Sequence, residues 1–432
     1  MTKYWFETLG CPKNQVDSDR LITQLEAKGL REANKVDEAD VVVVNTCAFI
    51  DAAREESIET ILELSELKAD GAKLVVTGCL AQRYKSELAD ALPEVDIVAG
   101  FGEDFSASVA VGVTIGRKAR GAEREAGARD DLPVMDLLRL PRRKASLPWS
   151  YVKVAEGCNK NCGFCSIPSF RGRQVSKSIE EIVAEILELE VKEAVLVAQD
   201  LANYGADLYG RPYLETLYKT VQEVVPWVRL LYIYPTGLTE SLIDMVAASP
   251  VPYFDLSLQH VSAQLLRRMK RVGSAKAVLS KIERIRSLRP EAVFRTSFIL
   301  GYPGETEEDQ EILRDFIEEA QLDWVGFFAF SHEEGTYAAS LGDHIERSLA
   351  VERINELSEI QDRITRIKRM SLLGKEVSVL IDSEGKGRSF RETPEIDALC
   401  KVVGDAHVGS FIEGKVIDTN GLDLVVKRVK TL

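Results

Sequence analysis

Residues 151–165 read YVKVAEGCNKNCGFC, an apolar run followed closely by three cysteines. An apolar run such as 151–155 is typical of a buried strand in a parallel sheet. Five further runs of this kind occur at 194–198, 229–234, 254–258, 293–299 and 324–330. Helical patterns separate them, so six βα units predict a partial (β/α)6 barrel of the α/β class, with its active site at the carboxyl ends of the strands. The cysteines therefore lie at the functional end of the predicted barrel.

The three cysteines are Cys158, Cys162 and Cys165, and their close spacing is typical of a metal site. Thiolates bind zinc and iron–sulfur clusters. Zinc normally has a fourth Cys or His ligand, which only His260 or a distant cysteine would supply here. A 4Fe–4S cluster on three thiolates instead leaves one iron open to a substrate or cofactor. The spacing favours the cluster, with zinc as the alternative.

A second set of cysteines occurs in the first hundred residues, which also alternate strand and helix patterns. Cys11, Cys47 and Cys79 each follow the carboxyl end of a predicted strand. In a parallel sheet their sulfurs would converge at one edge, where open α/β sheets bind ligands. Any one of them alone is compatible with a buried, unliganded role, but their shared position predicts a second iron–sulfur cluster. Cys400 has no cysteine near it in the sequence, and we expect it in a core.

Two further stretches have different compositions. Residues 117–144 carry nine basic and five acidic side chains, a net charge of +4. This predicts an exposed linker or extended hairpin, or alternatively a contact with an acidic or RNA-bearing partner. Residues 374–432 contain short β-rich runs between Gly, Asp and Asn turns, which predict a small antiparallel β-barrel or sandwich.

The overall composition is that of a globular chain. Hydrophobic residues make up 45% of the 432 residues, which excludes extensive disorder. The 69 acidic residues exceed the 55 basic residues, and the formal net charge of −14 argues against non-specific coating of DNA or of anionic membranes. The sequence has no apolar run of membrane-spanning length and no apolar core of a signal peptide at its start. We therefore expect a soluble cytoplasmic protein.

The cysteine spacing after the first barrel strand resembles that of the radical S-adenosylmethionine (SAM) superfamily. The resemblance implies a 4Fe–4S cluster whose open iron binds SAM, and radical chemistry after one-electron cleavage of the sulfonium. It further implies that Phe164 packs near the adenine. It also implies that Gly301, Pro303, Gly304 and Glu305, in the GYPGE string after the fifth strand, contact SAM. By itself this string would be more typical of a turn.

Over its whole length the chain is similar to the methylthiotransferases, which join an amino-terminal domain with three scattered cysteines to a radical SAM domain and a TRAM domain. Strings typical of the RimO branch are LGCPKN at 9–14, NTCAFI at 45–50, QD at 199–200, LQH at 258–260 and SHEEGT at 331–336. A second branch, which modifies isopentenyl-adenosine in tRNA, would have Ser-Gly after Gln259, where this chain has His260. Ser257 departs from the RimO pattern, which has Pro there, but this puts little in doubt.

The resemblance also implies domains and ligands. It places an amino-terminal methylthiotransferase domain at 1–116, a linker at 117–145, a radical SAM domain at 146–370 and a TRAM domain at 371–432. An auxiliary 4Fe–4S cluster would be held by Cys11, Cys47 and Cys79. The SAM cluster would be held by Cys158, Cys162 and Cys165.

The activity implied for the RimO branch is the addition of a methylthio group to the β-carbon of an aspartate in protein twelve of the small ribosomal subunit. SAM would serve both as methyl donor and as radical source. The implied partners are that protein or the small subunit, a flavodoxin- or ferredoxin-like electron donor and a sulfur source, with no membrane. No catalytic residue is assigned.

Polar residues at the strand ends are further candidates to orient SAM or the target carboxylate. They are Gln199, Asp200, Gln259, His260 and Arg295. For Arg295 a salt bridge inside the barrel is an equal alternative, and for His260 a structural hydrogen bond is.

The charge of the TRAM segment bears on the choice of substrate. Residues 374–432 carry nine basic and ten acidic side chains, whereas binding to tRNA depends mainly on neutralising phosphates. An acidic module suits a basic ribosomal protein, although an uneven spread of charge would leave tRNA as the alternative. A third possibility is a structural zinc or iron–sulfur protein that docks on ribosomes and does not cleave SAM.

Overall fold

The computed structural model describes residues 1–110 and 132–431, and the chain forms two compact units, Met1–Arg143 and Lys144–Leu432. Residues 117–131 of the predicted linker lie outside the described residues. Within the described ranges, no helix combines the length and apolar character needed to cross a membrane. The domain boundaries expected at residues 116, 145 and 370 remain predictions.

The first unit contains a parallel sheet and the helices that connect its strands. The strands are β1 (Lys3–Thr8), β2 (Arg31–Glu32), β3 (Val41–Thr46), β4 (Lys73–Gly78) and β5 (Ile97–Val98). The helices are α1 (Pro12–Ala27), α2 (Asp51–Leu67), α3 (Cys79–Ala91) and α4 (Ser106–Ala110). The sheet order is β2-β1-β3-β4-β5, every pairing is parallel, and central β3 is buried along its whole length. The expected small parallel α/β domain is confirmed.

Residues 132–143, predicted to be part of an exposed linker, instead pack on the first unit. The Met135 N–H donates to the Gly102 carbonyl at 2.8 Å. Leu137 and Leu138 are buried, and Leu137 joins the core beneath the sheet. The apolar side chains in this segment, which a charge count overlooks, explain the difference.

The second unit begins with the predicted barrel. Its strands are β6 (Trp149–Lys153), β7 (Ala155–Glu156), β8 (Val175–Ser176), β9 (Glu193–Val197), β10 (Trp227–Leu230), β11 (Tyr253–Gln259), β12 (Val293–Leu300) and β13 (Trp324–Ala329). The pair β7–β8 is antiparallel, whereas β6, β9 and β10 form one parallel sheet and β11, β12 and β13 another. A parallel bridge between Ile233 and Leu256 links the two sheets. The six-stranded partial barrel is confirmed.

Helices separate the strands of this unit, as the sequence predicts. They are α5 (Ile167–Arg171), α6 (Ile179–Leu189), α7 (Ala206–Tyr209), α8 (Leu214–Gln222), α9 (Glu240–Ala248), α10 (Ala263–Arg268), α11 (Ala275–Leu288), α12 (Glu307–Ala320) and α13 (Arg347–Met370). Ser178 and Thr306 form capping boxes at the starts of α6 and α12. These boxes satisfy amide groups that the first turn of a helix leaves unpaired.

The carboxyl-terminal strands close into a small barrel. They are β14 (Glu376–Ser383), β15 (Lys386–Arg388), β16 (Cys400–Val403), β17 (Phe411–Asn420) and β18 (Asp423–Thr431), in the order β14-β15-β16-β18-β17. All neighbours are antiparallel except β16 and β18, which pair in parallel. Five strands cannot alternate in direction around a closed ring, so one parallel pair is required. Cys400 lies in the core of this barrel, as expected.

A buried ionic contact joins this small barrel to the amino-terminal end of the larger one. Glu193, the first residue of β9, is fully buried between Arg229 at 2.8 Å and Arg388 at 2.6 Å. Arg388 lies in β15 and also contacts Asp382 at 2.6 Å. Burial alone would raise the pKa of Glu193, but the two arginines hold that pKa below its usual value. The contact therefore closes the end of the barrel opposite the cysteine loop.

Replacing Arg388 by Met is expected to lower the free energy of unfolding by about 3–5 kcal/mol, because it removes a partner from a buried charge. Urea unfolding followed by circular dichroism measures the change. Arg363→Met is the matched control, because Arg363 is exposed and its pair with Glu318 spans 3.8 Å. The control is expected to change the free energy by less than about 0.5 kcal/mol. Equal small effects in the two variants would contradict a stabilising role for the buried contact.

Candidate functional site

The cysteine loop runs from β7 to α5 and is fixed at both ends by backbone hydrogen bonds. The Cys158 N–H donates to the Gly172 carbonyl at 3.1 Å. The Cys165 N–H donates to the Cys162 carbonyl, also at 3.1 Å. These bonds hold the three half-buried cysteines in one compact turn.

Two neighbouring segments hold the middle of the loop. The Gly163 N–H donates to the carbonyl of Met269, which follows α10, at 2.8 Å. The Gly163 carbonyl accepts from the N–H of Ala338, in the segment after β13, at 2.7 Å. The position of the cysteines is therefore set by loops that follow several different barrel strands.

Burial makes two thiols of this loop, those of Cys158 and Cys165, harder to ionise. Burial, with a smaller contribution from the two other cysteines, raises the pKa of the Cys165 thiol to about 12. Burial also raises the pKa of Cys158. Metal binding would therefore release protons from these thiols. Within the described ranges, no three His, Cys, Asp or Glu side chains are placed to hold a single metal ion. In a four-iron cluster each thiolate binds a different iron, so the cysteines need not converge on one point.

Buried polar atoms without a hydrogen bond lie in residues that follow β9 and β11, at the end of the barrel that carries the cysteine loop. Both carboxylate oxygens of Asp200, Oε1 of Gln199 and Nε2 of His260 make no hydrogen bond within the described residues. Asp200 is 2% exposed and its pKa is raised by burial, with Lys160 Nζ 3.8 Å away. Such atoms are costly unless a ligand satisfies them. SAM carries an ammonium, a carboxylate and hydroxyl groups, so this donor and acceptor set fits the cofactor.

A charged network orients Gln199. Its Nε2 donates to Glu156 at 2.7 Å, which leaves its carbonyl oxygen for another partner. Glu156 also binds Lys153 at 2.6 Å and Arg171 at 2.8 Å. Burial would raise the pKa of Glu156, but Arg171 and Lys153 hold it well below its usual range. Glu156 is thus a fixed anion beneath the cysteine loop.

His260 is neutral and presents a donor. Its Nδ1 accepts from the Ser262 N–H at 3.1 Å, which assigns the proton to Nε2. Burial lowers its pKa to about 4. His260 thus makes the expected structural hydrogen bond through Nδ1. Its Nε2–H has no partner within the described residues and stays available to donate to SAM or to the target carboxylate.

The carboxylate of Glu305 makes hydrogen bonds within the chain, whereas the resemblance implies that Glu305 contacts SAM. One carboxylate oxygen accepts from the Gly301 N–H at 2.7 Å, and the other accepts from Arg353 at 2.8 Å. The carboxylate is 4% exposed. Its oxygens therefore shape the loop, and a contact between Glu305 and SAM stays a prediction.

The glycines of this loop are required by contacts within the chain. Gly301 and Gly304 have backbone φ values of +77° and +79°. Residues that carry a Cβ rarely adopt such values. A Cβ on Gly301 would lie 2.6 Å from Ala350, and one on Gly304 would lie 2.6 Å from the Arg268 guanidinium. A SAM contact by Gly301, Pro303 and Gly304 stays a prediction.

Arg295 lies away from the cysteine loop, at the amino-terminal end of the barrel. It pairs with Asp397 of the carboxyl-terminal region at 3.3 Å and with Asp255 at 3.9 Å. The salt-bridge alternative applies, and Arg295 is no longer a candidate to contact SAM. Gln259 remains one, with a left-handed φ of +68° after a bulge in β11. Phe164 packs beside a small apolar cluster near the loop, and its contact with adenine stays a prediction.

The other three cysteines lie at the carboxyl edge of the first sheet. Cys11 directly precedes α1, Cys47 follows β3 and Cys79 begins α3. The side chain of Asn14 connects two of these positions. Its Nδ2 donates to the Thr46 carbonyl at 2.9 Å, and its Oδ1 accepts from the Cys79 thiol at 3.7 Å. Helix amino termini favour thiolates, so Cys11 and Cys79 are well placed as ligands.

The chain approaches Cys47 closely from the residue before Cys11. A Cβ on Gly10 would lie 2.8 Å from the Cβ of Cys47. Together with the Asn14 contacts, this brings all three cysteines to one edge, as the sequence predicts.

Three residues beside the cysteine loop have no counterpart in the sequence predictions. They are Lys160, Tyr234 and Arg271. Lys160 Nζ lies 4.6 Å and the Arg271 guanidinium 4.1 Å from the centre of the Tyr234 ring. The only sequence signal for them is position, because Lys160 lies inside the cysteine motif and Tyr234 ends a predicted strand.

Comparison with protein families matches three successive parts of the chain. Residues 3–100 match the uncharacterized protein family UPF0004, residues 152–316 match the radical SAM superfamily and residues 373–429 match the TRAM domain. Among solved structures, the radical SAM methyltransferase TsrM from Kitasatospora setae is similar in fold. The TM-score is 0.51 at 16% identity, covering 76% of this chain and 75% of that chain.

Curated relatives align over nearly the full length. A ribosomal protein uS12 methylthiotransferase RimO from Moorella thermoacetica is 44% identical over 95% of both chains. Another from Aquifex aeolicus is 42% identical over 98% of this chain and 97% of its own. With this similarity and the three matched domains, the chain belongs to the RimO family of radical SAM methylthiotransferases.

Proposed function

We propose that this enzyme adds a methylthio group to the β-carbon of an aspartate in ribosomal protein uS12, using SAM and two 4Fe–4S clusters. One observation carries the proposal. Two sets of three cysteines lie at the carboxyl edges of two parallel sheets, in a chain that aligns end to end with uS12 methylthiotransferases. Each set leaves one iron of a four-iron cluster without a protein ligand.

The cluster ligands are proposed to be Cys158, Cys162 and Cys165 for SAM, and Cys11, Cys47 and Cys79 for the auxiliary cluster. When bound, SAM and the two clusters would supply a 5′-deoxyadenosyl radical, a methyl group and the sulfur to be transferred.

The chain's own residues bind and orient these groups. The carboxylate of Asp200, which makes no hydrogen bond within the described residues and lies 3.8 Å from Lys160 Nζ, is placed to accept from an ammonium group. The neutral His260 keeps a proton on Nε2 to donate to an oxygen. Gln199, held by Glu156, presents its carbonyl oxygen to a donor. We propose that these three residues, with Gln259, orient SAM or the target carboxylate.

The proposal extends to partners. An electron donor of the flavodoxin or ferredoxin type and a sulfur source are required by the reaction. The proposed substrate is uS12, either alone or in the small subunit, and a ribosomal substrate supports a cytoplasmic location. The TRAM segment, with net charge −1, suits a basic ribosomal protein better than tRNA.

Replacing Cys11 by Ala is expected to remove the auxiliary cluster and abolish methylthio transfer, while SAM cleavage continues. Iron content is expected to fall to roughly half. Mass spectrometry of uS12 and chromatography of 5′-deoxyadenosine measure the two activities.

Cys400→Ala is the matched control, because Cys400 lies in the core of the carboxyl-terminal barrel. It should keep the iron content and both activities. Full methylthio transfer by the Cys11 variant would contradict the auxiliary-cluster assignment.

Replacing Cys165 by Ala is expected to abolish 5′-deoxyadenosine release and methylthio transfer together, because radical formation precedes transfer. The amino-terminal iron should remain, so iron content again falls to roughly half. Radical formation at the normal rate in this variant would refute the ligand assignment.

A competition reaction distinguishes the two substrates. The reconstituted enzyme receives SAM, sulfide, reductant, small ribosomal subunits and isopentenylated tRNA together in the absence of oxygen. We expect one methylthio group on a uS12 aspartate and unchanged tRNA by mass spectrometry. Modified tRNA with unmodified uS12 would retain the chemistry and reject the substrate.

A further inference from the structure

A buried arginine reaches the proposed SAM cluster from the turn after α10. Arg271 is 6% exposed, and its N–H donates to the Leu266 carbonyl at 2.7 Å. Met269, two residues earlier, accepts the hydrogen bond from Gly163 in the cysteine loop. The turn and the cysteine loop are therefore joined through the backbone, which fixes where the Arg271 side chain begins.

Three contacts orient the guanidinium group. Nη1 donates to Cys162 Sγ at 3.3 Å, and Nη2 donates to the Ser257 carbonyl. The plane of the group lies against the Tyr234 ring, with its centre 4.1 Å from the ring centre. A planar fork is suited to two acceptors at once, whereas an ammonium group acts as a point charge. The arrangement therefore directs one donor at a cluster-ligand sulfur.

The charge of Arg271 is not neutralised by a close carboxylate. Within residues 1–110 and 132–431, the structure gives it contacts to a sulfur, a carbonyl and an aromatic ring, and no ion pair. Asp200 lies closer to Lys160, at 3.8 Å, and interacts with Arg271 only through its charge. Arg271 thus presents a permanent positive charge to Cys162 in a site shielded from water.

Such a charge acts on the reduction of a cluster. Adding one electron makes the cluster more negative, so a nearby cation stabilises the reduced form more than the oxidised form. Hydrogen bonds to the sulfurs act in the same direction, and both are recognised determinants of cluster potential. Burial strengthens each effect because water screens it less.

We propose that Arg271 is a positioning residue that raises the reduction potential of the cluster on Cys158, Cys162 and Cys165 and so eases its reduction. The inference rests on the proposed ligand assignment for that cluster. It adds a function for a residue outside the cysteine motif and outside the GYPGE loop.

The test is a potentiometric titration followed by electron paramagnetic resonance, without SAM. The background is the full chain with Cys11, Cys47 and Cys79 replaced by Ala, so that a single cluster titrates. In R271Q the charge is lost, and we expect the equilibrium to shift at least tenfold towards the oxidised cluster. For one electron this is about 59 mV to more negative potential.

Two further variants make the result specific. R271K retains the charge but cannot serve both acceptors, so a smaller negative shift is expected. R267Q is the matched control, because Arg267 is exposed at the end of α10, and its potential should equal that of the background. If R271Q does not retain iron, the reduction potential of R271K alone tests the proposal.

Either of two results would overturn the proposal. An unchanged potential in an iron-loaded R271Q, or in R271K where R271Q fails to load, would reduce Arg271 to a packing residue. Absence of a cluster from the background itself would reject the ligand assignment, and the role of Arg271 with it. Iron analysis of the background distinguishes the second failure from the first.

Discussion

Parallel strands all end at the same edge of a sheet, and this constraint determines where both cysteine sets lie. In the first unit it brings Cys11, Cys47 and Cys79 to one edge, although the first and last are 68 positions apart in the sequence. In the second unit it places the cysteine loop at the same end of the barrel as residues that follow other strands, such as Asp200 after β9 and His260 after β11. A set of ligands and polar groups from distant parts of the chain is thus assembled without any local sequence signal.

The two ends of the larger barrel differ in how their buried polar groups are satisfied. At the amino-terminal end, Glu193 lies between two arginines, and Arg295 pairs with Asp397. At the carboxyl-terminal end, Asp200 and His260 keep buried atoms without hydrogen bonds within the described residues. Buried atoms without a hydrogen bond also occur at the first end, such as Nη2 of Arg229, so it is the cysteine loop that marks the second end as the one that receives a ligand. The first is built to hold the carboxyl-terminal barrel in place.

The cysteine loop has a fixed backbone, and two of its thiols have raised pKa values. Backbone bonds to Met269 and Ala338 fix its middle, and burial raises the pKa of Cys165. A loop preorganised in this way loses little entropy when a cluster binds. The neighbouring Arg271 supplies positive charge on the side where the thiolates would add negative charge.

The sequence by itself determined the order of the elements and the position of each cysteine relative to its strand. Apolar runs, helix caps and strand-end cysteines are local features, so periodicity and spacing were sufficient for the six-stranded barrel and both cysteine sets. Only the tertiary structure decided the partners of the charged and polar residues. Glu305 braces its loop through Arg353, Arg295 pairs 102 positions away with Asp397, and Arg271 reaches Cys162 across 109 positions. Such pairings depend on which surfaces meet after folding, and no local pattern along the chain records that distance.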